Sequence, residues 1–104
     1  MAFKNVVAIV RKDKLKLIVE KLQEFGASGV SVVEVRGYGE YINTFSRNPL
    51  EESIKLELMI ESNSVEDIVQ LIMDEAHTGI EGDGIIAVHS IDHLYRVRDK
   101  QKMS

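Results

Sequence analysis

Val6, Val7, Ala8, Ile9 and Val10 follow one another without a polar interruption, and this run constrains the fold more than any other stretch of the chain. A strand that is apolar on both faces must be covered on both, so the segment Phe3 to Val10 is expected in the middle of a sheet. The next pattern has a longer period. From Asp13, which suits an N-cap, Leu15, Ile18, Val19, Leu22 and Phe25 recur at helical spacing, with Lys14, Lys16, Lys21 and Glu24 on the other side and Gly26 as a C-terminal stop. Val30 to Arg36 is β-branched and reads as a strand, ending at Gly37-Tyr38-Gly39, where two glycines around an aromatic mark a bend or a close backbone approach.

Residues 40–52 show no sustained period and hold the single proline, Pro49, so an exposed excursion is expected there. Its Tyr41, Ile42, Phe45 and Arg47 are candidate partner-binding residues, the ordinary alternative being that the apolar ones tuck back against their own domain. Ile54, Leu56, Leu58 and Ile60 alternate with Lys55, Glu57, Met59 and Glu61, a half-buried strand that pairs naturally with Val30 to Arg36. Asn63 or Ser64 suits the cap of a second helix whose buried stripe is Val65, Ile68, Val69, Ile72 and Ala76, closed by Thr78-Gly79. Ile85 to Val88 makes a short apolar strand, and Leu94 to Arg98 a further extended piece before a polar tail. The order is βαββαβ, which predicts an α+β, ferredoxin-like sandwich with an antiparallel sheet in a single domain spanning residues 1–104, both helices lying on one sheet face. The other face then needs a cover, and further copies of the same chain supply one.

Composition narrows the function classes. A formal charge of −4 and a pI near 5.3 argue against nonspecific nucleic-acid binding, which depends on many lysines and arginines. No apolar run is long enough for a transmembrane segment, no secretory signal pattern opens the chain, and there is no cysteine, so a cytoplasmic protein is expected, without disulfides or thiolate metal sites. His77, His89 and His93 are not presented together by any regular element, and no metal site is expected. Nor is a nucleophile visible with its base, a Walker lysine or an H-E-x-x-H helix; the chain reads as a non-enzyme.

The most suggestive chemistry lies in Thr78-Gly79-Ile80-Glu81-Gly82-Asp83-Gly84, with three glycines in seven residues. Glycines free to take positive φ leave successive N–H groups uncovered, a concavity suited to an anion. A helix C-cap at Gly79 followed by a hairpin-like turn at Asp83-Gly84 is the plain alternative. Arg96 and Arg98, two apart, would share one strand face at about 6.5–7 Å and suit a polyphosphate, although alternating charges also serve to discourage edge pairing.

Taken together, Val30 to Tyr38-Gly39, Ile54 to Ile60, Thr78 to Gly84 and Arg96-Val97-Arg98 resemble the nitrogen regulatory PII signal-transduction family over essentially the whole chain. The resemblance implies a ferredoxin-like homotrimer with adenine nucleotides in clefts between subunits. It places Gly37, Tyr38 and Gly39 at the base of the family's long T-loop, Thr78, Gly79, Gly82, Asp83 and Gly84 in its glycine-rich B-loop, Arg96 and Arg98 at its C-terminal arginine pair, and Glu57 on its strand glutamate. Ile80 and Ile85 stand where the family usually has two lysines, which implies a preference for AMP, ADP or a cyclic relative over ATP. Glu40, Tyr41 and Ile42 replace Arg-Gln-Lys, which implies weak or no binding of 2-oxoglutarate. The loop is several residues shorter than typical and lacks the modified-tyrosine segment. The implied role is a PII-like regulator with an adenine nucleotide as effector and no tightly bound cofactor, controlling a partner transporter or enzyme through residues 40–52. A PII-like or CutA-like trimer with a decayed nucleotide site, binding another small anion or only a protein partner, is the alternative.

Overall fold

The computed structural model describes residues 2–37 and 51–104. The first strand, β1 (Phe3–Val10), is hydrogen-bonded on both sides, to β3 (Glu51–Glu61) and to β4 (Gly84–Ser90), and β3 in turn pairs with β2 (Ser31–Gly37). All three pairings are antiparallel, giving the order β2-β3-β1-β4. With α1 (Leu15–Phe25) after β1 and α2 (Val65–Ala76) after β3, this is the ferredoxin-like arrangement that the element order demands.

The side-chain period of two divides the sheet cleanly. Val6, Ala8 and Val10 are buried with Ile54, Leu56, Leu58 and Ile60 of β3, Ile18 and Leu22 of α1, and Ile68, Ile72 and Ala76 of α2, a single core between sheet and helices. Each fully buried leucine or isoleucine contributes roughly 1.5–3 kcal/mol relative to exposure. The alternate residues Val7 and Ile9 point to the side without helices, where Val7 lies between Glu57 and Ala87 and Ile9 between Lys55 and Ile85. On that side Val33, Met59 and Ile85 are exposed, interrupted by Glu57, which meets Asn5 Nδ2 at 3.4 Å and Lys55 Nζ at 3.3 Å. No helix among the described residues is long and apolar enough to cross a membrane.

Several local expectations need correction. Neither helix is capped by a side chain: each begins with a 3-10 turn, Lys12–Lys14 or Ser62–Ser64, so Asp13, Asn63 and Ser64 are not cap acceptors. In the first of these turns Lys14 N–H donates to the Arg11 carbonyl at 3.1 Å, an i→i+3 bond that uses a donor a cap would have satisfied. Gly26 does end α1, at φ 98°. The second helix ends earlier than Thr78-Gly79, because His77 is already extended while its N–H still reaches the Met73 carbonyl at 3.0 Å. The extended piece Leu94 to Arg98 is in fact a hairpin: β5 (Tyr95–Arg96) pairs with β6 (Gln101–Lys102) across a turn at 97–100, so Arg98 is not on a strand and the tail folds back. Of the excursion placed at 40–52, residues 51 and 52 belong to β3, and the remainder lies outside the described residues.

Where β4 starts, the backbone approaches β1 too closely for any side chain. A Cβ on Gly84 would lie 2.0 Å from the Ile9 carbonyl oxygen, and its φ of 125° is one that L-residues rarely adopt. Gly84→Ala is therefore expected to destabilise the fold by at least about 1–3 kcal/mol. Urea unfolding checks this; a midpoint equal to that of the parent would mean that the ladder does not close as tightly as described.

Candidate functional site

The glycine-rich loop is built outward from this contact. Gly84 pairs with Val10, so the next residues outward, Asp83 and Arg11, face each other where the antiparallel ladder opens. Arg11 Nε donates to Asp83 Oδ1 at 3.2 Å and Arg11 Nη2 to the Glu81 carbonyl at 2.8 Å. The other carboxylate oxygen of Asp83 accepts from the N–H groups of Thr78 and Gly79 at 2.7 and 2.9 Å, and the Thr78 hydroxyl also donates to Asp83. Ile80 N–H in turn reaches Thr78 Oγ1 at 3.2 Å. Gly79 and Gly82 take φ of 82° and 95°, which lets the backbone curl around the carboxylate.

The loop thus forms the concavity that its glycines suggest, but with an anion of its own at the centre. Burial works against ionisation of Asp83, yet the Thr78 hydroxyl and N–H, the Gly79 N–H and the Arg11 guanidinium together outweigh it and hold the carboxyl well below the usual carboxylate range. Two N–H groups are committed to Asp83; those of Glu81 and Gly82 have no hydrogen-bond partner among the described residues. Ile80 and Ile85 are exposed, and a cleft of about 330 Å³ is lined by Val10, Val69, Met73, Ala76, Ile85 and Ile86 together with the polar His77 and Asp83. Glu57 is elsewhere, beside a second cleft of about 390 Å³ formed with residues 28–31 and Met59.

The expected site residues therefore fall into separate groups. Thr78, Gly79, Gly82, Asp83 and Gly84 are together. Arg96 and Arg98 make no hydrogen bond or ion pair with them: Arg96 is held by Asp99, at 2.8 Å through Nε and 2.6 Å through Nη2, and Arg98 stands exposed in the hairpin turn. The hairpin follows the far end of β4, where Ile91 N–H meets the Phe3 carbonyl at 3.4 Å, and the strand between that end and the loop is about 20 Å long. Gly37 is the last residue of β2; Tyr38, Gly39, Tyr41, Ile42, Phe45 and Arg47 lie outside the described residues. No group of three or more His, Asp or Glu suited to a metal ion occurs among the described residues. Arg11 was not among the expected site residues; its signal is positional, one residue beyond Val10 in the register with Gly84.

The family model for nitrogen regulatory protein P-II matches residues 3–101. The chain belongs to the P-II family. Among its P-II relatives, the nitrogen regulatory protein P-II of Rhizobium etli is 37% identical over 102 residues, covering 91% of each chain. Nitrogen regulatory protein P-II 2 of Methanothermobacter thermautotrophicus is 32% identical over 102 residues, covering 91% of this chain and 89% of its own. The crystal structure of Arabidopsis thaliana PII bound to citrate superposes with a TM-score of 0.82 at 30% identity, covering 96% of this chain and 84% of that one. The two relatives are regulatory proteins by name, and the ferredoxin-like fold of the present chain is that of the Arabidopsis PII.

The Asp83 network makes a pH-dependent contribution to this P-II loop. Because the folded-state pKa is depressed, its stabilisation is complete above the unfolded carboxylate value of about 3.9 and is lost as pH falls from there through the folded value. Asp83→Asn is expected to lower stability by about 1.5–3 kcal/mol at neutral pH. The gap to the parent should narrow on acidification below the ordinary carboxylate range. Urea titrations across that range check the assignment, and a gap that stays constant with pH contradicts it.

Proposed function

We propose that this chain is a non-enzymatic, homotrimeric P-II regulator, acting in the cytoplasm, that binds an adenine nucleotide between subunits and controls a transporter or enzyme through residues 40–52. The observation that carries the reading is the loop from Thr78 to Gly84: a preformed backbone turn, shaped around the Asp83 carboxylate and anchored to β1 through Arg11. Arg96 and Arg98 follow the opposite end of β4, and one chain leaves them unconnected to the loop. A neighbouring copy carrying its own arginine pair to the loop completes a phosphate site, which is why the cleft is assigned to the interface. The apolar side of the sheet, with Val7, Ile9, Val33, Met59 and Ile85, is the surface that further copies cover.

The ligand follows from the charges. With Ile80 and Ile85 on the rim, the loop offers N–H groups and no lysine, so an adenylate with one or two phosphates is favoured over ATP. Glu57, in the cleft with residues 28–31, is assigned to the nucleoside end, and the family resemblance adds Gly37, Tyr38 and Gly39 to the proposed site. A second reading, a site for another small anion, is supported by the citrate of the related Arabidopsis PII and by Asp99 occupying Arg96.

Light scattering at micromolar concentration is expected to give three times the 11.7 kDa chain mass; a monomer contradicts the interface assignment. Calorimetry with AMP, ADP, ATP, cyclic AMP, citrate and 2-oxoglutarate separates the two readings, with little or no 2-oxoglutarate binding expected. Arg98→Ala should weaken nucleotide binding by about 1.5–3 kcal/mol. Ile85→Lys should selectively strengthen ATP binding, and an unchanged order of AMP, ADP and ATP would refute the role given to the missing lysine.

A further inference from the structure

Two acidic residues, Glu81 and Asp83, lie in the loop assigned to phosphate, and no lysine or arginine occurs between Thr78 and Gly84 to offset them. Among the described residues, one cationic side chain is hydrogen-bonded to the loop, Arg11. Its backbone is fixed at the end of β1, in extended conformation, with its carbonyl accepting from Lys14 N–H. Its side chain is largely buried, 17% exposed, and makes two contacts of different kinds: an ion pair with the Asp83 carboxylate and a hydrogen bond to the Glu81 carbonyl. Among the described residues His77 also stands near that carboxylate, its Nδ1 3.9 Å away and its ring exposed. Asp83 in turn organises the N–H groups of Thr78 and Gly79.

We propose that Arg11 is the positioning residue of this loop: by neutralising Asp83 and tying down Glu81, it makes the turn present backbone donors, rather than a carboxylate charge, to an incoming phosphate. Arg11 acts through Asp83 and Glu81. Arg96 and Arg98 are assigned to the ligand itself, so the cationic side chains divide into one that shapes the seat and two that meet the occupant. The inference rests on the reading of the loop as an anion seat.

The consequence is a charge-graded effect. Without Arg11, the Asp83 carboxylate is left uncompensated beside the seat, and its repulsion grows with the charge of the ligand. A merely structural residue would weaken all ligands alike. In the full chain, Arg11→Met is expected to weaken ADP binding by roughly tenfold to a hundredfold, AMP by less, and neutral adenosine by no more than about twofold, read by calorimetry. Without ligand, hydrogen exchange at the Thr78 and Gly79 amides should accelerate by about tenfold or more as the Asp83 carboxylate swings free. Arg11→Lys, which keeps the charge, should recover most of the ADP affinity, and Arg11→Gln serves as the neutral variant if the methionine substitution does not fold. Equal losses for adenosine and ADP, or amide exchange at the parental rate, would overturn the proposal. If the parent binds none of the three compounds, the nucleotide reading fails by itself and the exchange rates alone decide whether Arg11 holds the loop.

Discussion

The pairing of β1 with a neighbour on each side is the constraint from which the rest of the molecule follows. Val6, Ala8 and Val10 can face the helices only in the register that sets Leu58, Leu56 and Ile54 beside them on one side and Val88, Ile86 and Gly84 on the other. A slip of one residue would turn the core side of β1 outward, so the hydrophobic pattern locks the register. That register brings Gly84 against the Ile9 carbonyl at a distance only glycine tolerates, and so delivers the next residue, Asp83, to Arg11. Packing in the core thereby determines the position of a charged loop at the edge.

Within that loop the backbone donors close on an anion of the chain's own. A carboxylate supplied by the chain itself occupies the donors of Thr78 and Gly79. The arrangement fixes the shape of the loop from within. It also uses up donors. What is left over among the described residues is the pair of N–H groups of Glu81 and Gly82, with the side chains of Ile80 and Ile85 exposed.

Much of this was legible in the residues, for identifiable reasons. Alternation in Ile54 to Ile60, helical spacing in Leu15 to Phe25 and the stop at Gly26 are local signals that burial on one face enforces, and they sufficed for the topology. The helix starts were misread because short 3-10 turns satisfied the backbone where side-chain caps were expected. The hairpin at 95–102 was missed because its turn contains no glycine; Lys100, at φ 56°, takes the left-handed position with nothing in its side chain to announce it. Arg11 escaped for a different reason. Its partner Asp83 is distant along the chain, and the two meet only through the β1 to β4 register, a tertiary fact. The glycine loop itself was recognisable from composition, but the carboxylate at its centre was not.

The strand order also carries a temporal consequence. During synthesis the residues of β1, α1 and β3 are all present once Glu61 has emerged, before any of β4 is made. The other edge of β1 waits for Gly84–Ser90, since Lys4 pairs with Ser90. Contacts of such long sequence separation form late. Until then Arg11 has no Asp83 and the glycine loop has no shape, so a nascent chain that already possesses a core still lacks its candidate site.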